Sequence, residues 1–321
     1  MAKWQFAGLF PWVVFAALLA PATQAQHWPA RPVRMVVGFS IGGPVDITAR
    51  MLAPKLSDLW GQPVVVENRP GAGSAVATLL AAQASPDGHT LLVTSAALVL
   101  NVVLRPKVGY DPLRDFASVA QVGSSTSVLL VPPSLNVRSV KELIALANER
   151  PGKILYGSAG AGSGTHMTTE RFNLTAGIKG THVAYKGQSE MLVELLAGRL
   201  QYGIPTLGPS VGMIREGRLR ALAIVATRRS PVLPDLPAMT EILPNFRRDA
   251  SHMIVAPART PRAIVIKISK DIARVLEMPD VKRQMEAIDF QPAPTTPEEL
   301  DKILREFMVT FEEVARAAGL K

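Results

Sequence analysis

Short apolar segments alternate along the chain with segments whose apolar residues recur at helical spacing. Val33 to Phe39 is a largely apolar run typical of a buried strand, and Ile47, Met51 and Leu52 follow it at helical spacing. This alternation predicts an α/β fold with mostly parallel sheets. Further strands are predicted at 64–67, 90–93, 117–122, 127–131, 153–156, 182–184, 222–226 and 252–256, and further helices at 75–84, 140–147, 191–196, 264–275 and 300–314.

Polar residues and glycines mark several of the predicted helix ends. Ser139 with Glu142, and Thr296 with Glu299, have the spacing of a capping box, in which each side chain hydrogen-bonds the other's backbone N–H. Gly198 is placed to end a helix. Residues 228–243 contain three prolines and no clean period, so they are predicted to form a loop.

The order of these elements predicts two domains. We expect the chain to cross from the first domain to the second near Val131, and to return with the apolar strand that begins at His252. Residues 26–130 plus 250–321 would then form domain 1, and residues 131–249 would form domain 2.

A glycine-rich loop between a predicted strand and a predicted helix is the main candidate site. Residues 157–164 contain four glycines, and Ser158, Ser163 and Thr165 add hydroxyl groups, of which Ser163 or Thr165 can cap the helix. The first N–H groups of a helix have no partner within it, so such a loop can bind an anion. We expect this loop, including Gly160, Gly162 and His166, to bind a carboxylate.

A second loop of the same kind lies earlier in the chain. The strand that ends at Phe39 turns at Gly42 and Gly43, Pro44 suits the first helical position, and Asp46 falls in the first turn. Taken alone, this loop favours an ordinary strand-to-helix connection with no ligand. Two glycine loops that each begin a helix favour a binding site.

The N-terminal residues resemble a secretory signal peptide. Lys3 precedes an apolar run from Leu9 to Ala20, and small residues up to Ala25 offer a cleavage point. The run is too short to span a bilayer, and no later segment reaches eighteen uninterrupted apolar residues. We therefore expect residues 1–25 to be removed and the protein to be exported.

Composition excludes several kinds of function. The chain has no cysteine, which rules out disulfides, and its five histidines lack metal-ligand spacing, so no metal is expected. The formal net charge is +9, but no basic run with interleaved aromatic residues is present, so we expect no nucleic-acid binding.

Enzyme motifs are also missing from the sequence. The near-match to a dinucleotide fingerprint at 160–165 ends in Thr165, and neither a P-loop nor a nucleophile elbow is present. His166 is equally well explained as a surface histidine or as a ligand contact. Tyr185 and Lys186 belong either to a pocket rim or to an ordinary turn. No nucleophile and base can be paired, so no catalytic residue and no cofactor is expected.

Motifs spread over nearly the whole chain resemble the periplasmic solute-binding proteins of tripartite tricarboxylate transporters, the Bug family. The resemblance is carried by residues 28–34, the Gly42–Arg50 segment, and residues 67–73, 86–92, 110–116, 158–170, 185–187, 217–223, 233–237 and 256–261.

The resemblance implies a type II-like fold, in which two α/β domains joined by two crossover strands close around a carboxylate. The segments Phe39–Asp46 and Ser158–His166 would hold the carboxylate, with Ser95 in a third polar loop and Tyr185 nearby. The chain departs from the family pattern at Ser40 and Ile41, which replace two prolines, and at Ser251, which replaces a tryptophan and predicts a wider or more polar pocket.

As partners, the resemblance implies a small organic carboxylate and the membrane permease of such a transporter, with the protein itself a monomer. A ligand-binding partner of a sensor kinase remains the alternative, and a periplasmic hydrolase is a more distant one. The identity of the carboxylate does not follow from the sequence.

Overall fold

The computed structural model describes residues 28–105, 107–226, 228–244, 246 and 251–317. The proposed signal peptide, residues 1–25, lies outside these residues. Two β-sheets carry the fold, each covered by helices on both faces, so the α/β prediction is confirmed. The strands are β1 Val33–Val37, β2 Val64–Asn68, β3 Thr90–Ser95, β4 Phe116–Ser125, β5 Ser127–Val131, β6 Leu155–Ser158, β7 Thr181–Ala184, β8 Tyr202–Gly203, β9 Arg220–Val225, β10 His252–Pro257 and β11 Phe290–Pro292.

The helices follow the strands in the alternating order that the sequence predicts. Three short 3-10 turns occur at Ala72–Ser74, Pro133–Leu135 and Gly208–Ser210. The α-helices are α1 Pro44–Trp60, α2 Ala75–Ala82, α3 Ala97–Leu104, α4 Val140–Glu149, α5 Gly164–Ala176, α6 Gln188–Leu196, α7 Val211–Arg215, α8 Met239–Ile242, α9 Arg262–Leu276, α10 Pro279–Ala287 and α11 Pro297–Ala317.

The two sheets have similar strand arrangements, and the first has an extra edge strand, β11. The six-stranded sheet has the order β11-β4-β10-β3-β1-β2, and the five-stranded sheet has the order β7-β6-β8-β5-β9. Next to the crossing points, β10 runs antiparallel to β3 and β4, and β5 runs antiparallel to β8 and β9; β11 is also antiparallel to β4. We call residues 28–125 and 252–317 the first lobe, and residues 127–246 the second lobe.

The chain leaves the six-stranded sheet at Thr126, five residues earlier than the crossing expected near Val131. β4 ends at Ser125, and Ser127 already pairs with Val225 in the five-stranded sheet. Residues 123–127, a run of Gly, Ser and Thr, separate the apolar parts of the two strands. This break marks the end of one strand, but it does not show that the next strand belongs to another sheet.

Both sheets are buried on both faces, which explains their nearly continuous apolar strands. In β3, Leu91 and Val93 pack on the face covered by α1 and α9, and Leu92 packs on the face covered by α2, α3 and α11. In β5, Leu129 and Leu130 alternate in the same way between the two faces of the second sheet.

Several elements were not expected from the sequence. Residues 228–243, predicted as a loop, contain α8, which begins where the Ala238 N–H donates to the Glu241 carboxylate. Helices α3, α7 and α10 and the short strands β8 and β11 were also missed. These elements are short, and α3 is buried on most of its surface, so it lacks the polar face that marks a helix in sequence.

Candidate functional site

The candidate site is a cavity of about 50 Å3 between the two lobes. Both lobes contribute residues to its wall, at the ends of strands and the starts of helices. Among the residues that the structure describes, no Asp, Glu, Lys or Arg lies in this wall. The lining residues are Phe39, Pro44, Val45, Ser95, Ala96, Ser127, Ala159, Ser163, Gly164, Thr165, Thr168, Gln188, Thr206, Ser251 and His252.

The first residues of four helices line this cavity. They belong to α1 and α3 in the first lobe and to α5 and α6 in the second. Each helix N-terminus carries free N–H groups and about half a positive charge. The cavity therefore attracts an anion without a cationic side chain.

Two of the four helix starts hold a carboxylate of their own. Asp46 lies in the first turn of α1 and Glu190 in the first turn of α6, whereas α3 and α5 have no acidic residue in their first turns. The positive ends of α3 and α5 are therefore the ones not offset by a nearby side chain. They face the cavity through Ala96 and Ser163–Thr165.

Ser163 and Thr165 form a small hydrogen-bond network at the start of α5. The Ser163 hydroxyl accepts from the His166 N–H at 3.2 Å and caps the helix, and the Thr165 hydroxyl accepts from the Ala159 N–H at 2.9 Å. The two hydroxyls lie 3.0 Å apart and share one hydrogen bond. Of their two O–H protons, one is used in that bond and the other is left to donate to a solute.

In the first glycine loop, Phe39 lines the cavity but the polar groups point to other partners. The Ser40 hydroxyl lies 2.6 Å from the Glu190 carboxylate oxygens. Gly43 serves as the residue before α1, and its N–H donates to the Ser40 carbonyl at 3.2 Å. The predicted contacts of Ser40, Gly42 and Gly43 are therefore not with the cavity.

Asp46 is buried and fully engaged within the first lobe. Its carboxylate accepts from the Gly42 N–H at 2.9 Å, from Asn68 Nδ2 at 2.8 Å and from Arg50 Nε at 2.9 Å. These three partners account for its position by structure alone. Asp46 lies outside the cavity wall.

The second glycine loop reaches the cavity through Ser163 and Thr165, and the first lobe reaches it through Ser95. The other predicted residues of this loop lie outside the cavity wall: Ser158, Gly160, Gly162 and His166. The Ser158 hydroxyl lies 2.6 Å from His182 Nε2. The Gly162 N–H donates to His166 Nδ1 at 3.2 Å. These two contacts hold the loop in place on the side away from the cavity.

His166 and His182 stack with ring centroids 4.0 Å apart beneath this loop. Burial, with contributions from His182 and Arg105, lowers the pKa of His166 to about 3. Burial also lowers the pKa of His182. Both rings are therefore neutral at physiological pH. Tyr185 lies outside the cavity wall; its N–H donates to the Ser158 carbonyl, and burial raises the pKa of its phenol.

His252 is held rigidly in the wall by two hydroxyl groups. Its Nδ1 lies 2.7 Å from the Thr48 hydroxyl and its Nε2 lies 3.3 Å from the Ser125 hydroxyl. The Thr48 hydroxyl also lies 3.0 Å from the Pro44 carbonyl, to which it can donate. His252 thus joins the start of α1 to strands β4 and β10 beside the cavity.

The described residues contain no group of three or more His, Cys, Asp or Glu side chains that could hold a metal ion. None of the helices in the described part of the chain combines the length and apolar character needed to cross a bilayer.

Comparison with known proteins places the chain in a family. The model of the tripartite tricarboxylate transporter family receptor, TctC, matches residues 48–320. The chain belongs to the TctC family. As a TctC family member it is 35% identical over 317 residues to BugT of Bordetella pertussis, with 98% of this chain and 96% of BugT covered. A UPF0065 protein from Pseudomonas sp. is 34% identical, over 90% of this chain and 88% of its own length.

Solved structures of TctC-like proteins have the same fold. The periplasmic binding protein BugD is 29% identical with a TM-score of 0.88, over 92% of this chain and 99% of BugD. An R. palustris protein solved with adipate is 32% identical with a TM-score of 0.87, over 91% of this chain and 98% of its own. MatC from Rhodopseudomonas palustris, solved with malate, is 31% identical with a TM-score of 0.84, over 89% and 99%. The expected resemblance to Bug-type periplasmic binding proteins is confirmed.

The two lobes of this TctC family member contact each other beside the cavity. In the first closing contact, Ser40 bonds Glu190 and the Ser189 hydroxyl donates to the Ile41 carbonyl at 2.8 Å. In the second, Arg105 of the first lobe donates to the Ala161 carbonyl of the second. A side chain at Gly160, where φ is +116°, would meet the backbone of Gly73 at 3.0 Å. The structure is therefore a closed form.

Sequence reasoning missed five polar residues of the cavity wall, whereas Ser251, which was expected to affect the pocket, does line it. Among the missed residues only Thr168 carried a usable signal, because it lies one helical turn after Thr165 and so shares its face. The others reach the wall from strand ends and a helix start that the sequence does not bring together: Ser127, Gln188, Thr206 and His252.

Proposed function

We propose that this TctC family member is a periplasmic solute-binding protein that captures a small organic carboxylate between its two lobes and has no catalytic activity. The observation that carries this proposal is the set of four helix starts around one cavity, in whose wall none of the described residues has an acidic side chain. Two TctC-like proteins were solved with adipate and malate, which are both carboxylates.

The lobes correspond in this proposal to two domains that move as units. Residues 26–125 plus 250–321 would form one domain and residues 127–249 the other, with the crossings at Thr126 and just before His252 as hinges. Solute binding would favour the closed form, because a carboxylate between α3 and α5 contacts both domains at once.

The solute in this proposal is short. The cavity of about 50 Å3 is far smaller than the roughly 300–1,000 Å3 of sites for drug-sized ligands. A four-carbon carboxylate would therefore bind more tightly than adipate, which has six carbons and would hold the lobes apart.

Thermal-shift and calorimetric titrations with carboxylates and their neutral amides test this function. Butyrate and succinate should raise the melting temperature, and butyramide, which has nearly the same shape but no charge, should not. At about 100 times Kd, binding contributes about 2.7 kcal/mol to stability. Binding should survive EDTA. Equal binding of butyrate and butyramide, or loss of binding in EDTA, would overturn the proposed anion site.

The proposed partner is the membrane permease of a tripartite tricarboxylate transporter, and export would remove residues 1–25. N-terminal sequencing of the protein from a periplasmic fraction tests cleavage near Ala25. Uptake of labelled solute by cells lacking the gene tests the partner. Normal uptake together with loss of a solute-dependent transcriptional response would instead identify the protein as a sensor component.

A further inference from the structure

The Ser251 hydroxyl is a buried polar group that has no hydrogen-bond partner within the described part of the chain. Only 4% of the residue is exposed. Buried hydroxyls are normally hydrogen-bonded, and one without a partner destabilises the folded protein. An unpaired group of this kind therefore calls for a functional explanation.

Ser251 differs from the other unpaired groups in its position. Among the described residues, unpaired buried side-chain atoms also occur at Ser74, His89, Thr94 and Asn101, and none of these residues lines the cavity. Ser251 does line it. Ser251 is thus the one residue in this set that lies in the cavity wall.

Ser251 also lies beside the start of α3. In the antiparallel pairing of β10 with β3, His252 is opposite Ser95, so the preceding residue lies beside Ala96. Ala96 immediately precedes α3, whose first turn holds no acidic residue. The Ser251 hydroxyl and the N-terminus of α3, which has no acidic residue in its first turn, therefore lie in the same part of the cavity wall.

The start of α5 is a separate donor group in the second lobe. It offers its free N–H groups and the remaining O–H proton of the Ser163–Thr165 pair. Each lobe therefore has its own group of hydrogen-bond donors. This arrangement suits a short solute with an anionic group at each end better than a solute with an anionic group at only one end.

We infer that Ser251 is a specificity-determining residue whose hydroxyl, together with the N-terminus of α3, binds the second carboxylate of a short dicarboxylate. This inference rests on the proposed function, which requires only that one carboxylate bind in the cavity. The inference adds that the protein binds a short dicarboxylate more tightly than a monocarboxylate of the same length, whose other end is an alkyl group.

Titration calorimetry with succinate and butyrate tests the inference, because these four-carbon solutes differ only in one end. The wild-type protein should prefer succinate. Ser251→Ala should weaken succinate binding about tenfold, a change equivalent to about 1.4 kcal/mol, and change butyrate binding by less than twofold. The same substitution should raise the melting temperature of the solute-free protein by about 2 °C, since it removes an unpaired buried hydroxyl.

Thr94→Val is the matched control. The Thr94 hydroxyl is fully buried and unpaired but lies outside the cavity wall. Its removal should raise the melting temperature and leave both affinities unchanged. If Ser251→Ala lowers the affinity for succinate and raises the melting temperature, whereas Thr94→Val only raises the melting temperature, Ser251 has a binding role and not only a structural one.

The other possible results contradict the inference about Ser251. If Ser251→Ala binds succinate within twofold of wild type, or weakens succinate and butyrate equally, the second-carboxylate assignment is wrong and the carboxylate-binding function stands. If the wild-type protein binds neither succinate, butyrate nor any other carboxylate tested, the proposed function fails and this inference fails with it.

Discussion

The Ser40 hydroxyl lies 2.6 Å from both carboxylate oxygens of Glu190, and the two residues come from different lobes. Ser40 lies in the loop between β1 and α1, and Glu190 lies in the first turn of α6. This contact forms only when the lobes are together. It makes Ser40, which lies outside the cavity wall, a residue that affects solute affinity through closure.

Ser40→Ala should weaken solute binding three- to tenfold, because the closed form loses a hydrogen bond to a charged group. A loss of that size corresponds to about 0.7–1.4 kcal/mol, which is below the roughly 1.5–3 kcal/mol of hydrogen bonds to charged groups because Glu190 is partly exposed. Glu190→Gln retains an acceptor and should have a smaller effect. A double-mutant cycle on Kd should give a coupling energy of about 1 kcal/mol between the two positions. A coupling energy near zero would mean that the contact does not stabilise the closed form.

Gly187→Ala should hinder closure by contact with Ser40. A Cβ at position 187 would lie 2.7 Å from the Ser40 Cβ and 2.8 Å from its backbone nitrogen, both too close for a relaxed structure. The backbone at Gly187 has φ −170°, which any residue adopts, so the substitution costs little in the separated lobes. We expect Kd to rise at least tenfold and the solute-free melting temperature to change by less than about 2 °C.

Gly212→Ala is the control for Gly187→Ala. Gly212 is exposed within α7, and a Cβ there would meet no other atom within 4 Å. Its affinity should equal that of wild type, as measured by calorimetry under the same conditions. If both glycine variants bound solute like the wild type, the contact between Gly187 and Ser40 would have no part in closure.

The effects of Ser163→Ala and Thr165→Val on the solute Kd should not add up in the double variant. Each single variant frees the remaining hydroxyl to donate to the solute, so each should weaken binding less than threefold, whereas the double variant should lose at least tenfold. Ser163→Ala should also lower stability by about 1 kcal/mol, because Ser163 caps α5. Calorimetry and thermal melts of the two single variants and the double variant provide the test. Affinity losses that simply add would show that each hydroxyl contacts the solute independently.

His166 should make the folded protein less stable as the pH falls below neutrality. Its pKa in the folded protein is lowered to about 3, so between that value and the ordinary pKa near 6.5 the unfolded chain binds the extra proton. Stability is fully present above about pH 6.5 and is lost progressively as the pH falls toward 3. At pH 5 the loss from this one group is about 2 kcal/mol.

Chemical denaturation at pH 7 and pH 5 measures that loss. His166→Gln keeps an acceptor for the Gly162 N–H but cannot be protonated in this range, so its stability should fall less between the two pH values than that of wild type. Groups shared by the two proteins cancel in this comparison. Identical pH dependence of the two proteins would contradict a neutral, buried His166.

The sequence by itself determined the elements that depend on local pattern. Apolar strands alternating with amphipathic helices predict an α/β fold, and the capping box at Thr296–Glu299 forms as expected, with both hydrogen bonds present. The Ser163 cap at the glycine loop was also foreseen as one of two options. Each of these features involves residues within a few positions of one another, so hydrogen-bond geometry and side-chain period specify them directly.

Only the tertiary structure decided which polar groups reach the cavity and which hold the lobes together. Ser40 and Glu190 are 150 residues apart, and Thr48 and His252 are 204 residues apart, so no local pattern relates them. The two glycine loops look alike in sequence, yet the first places its polar groups on Asp46 and Glu190, and the second directs Ser163 and Thr165 at the cavity. The difference arises because a hydroxyl or N–H binds whichever acceptor the fold brings within about 3 Å, and that choice is made by the packing of the lobes.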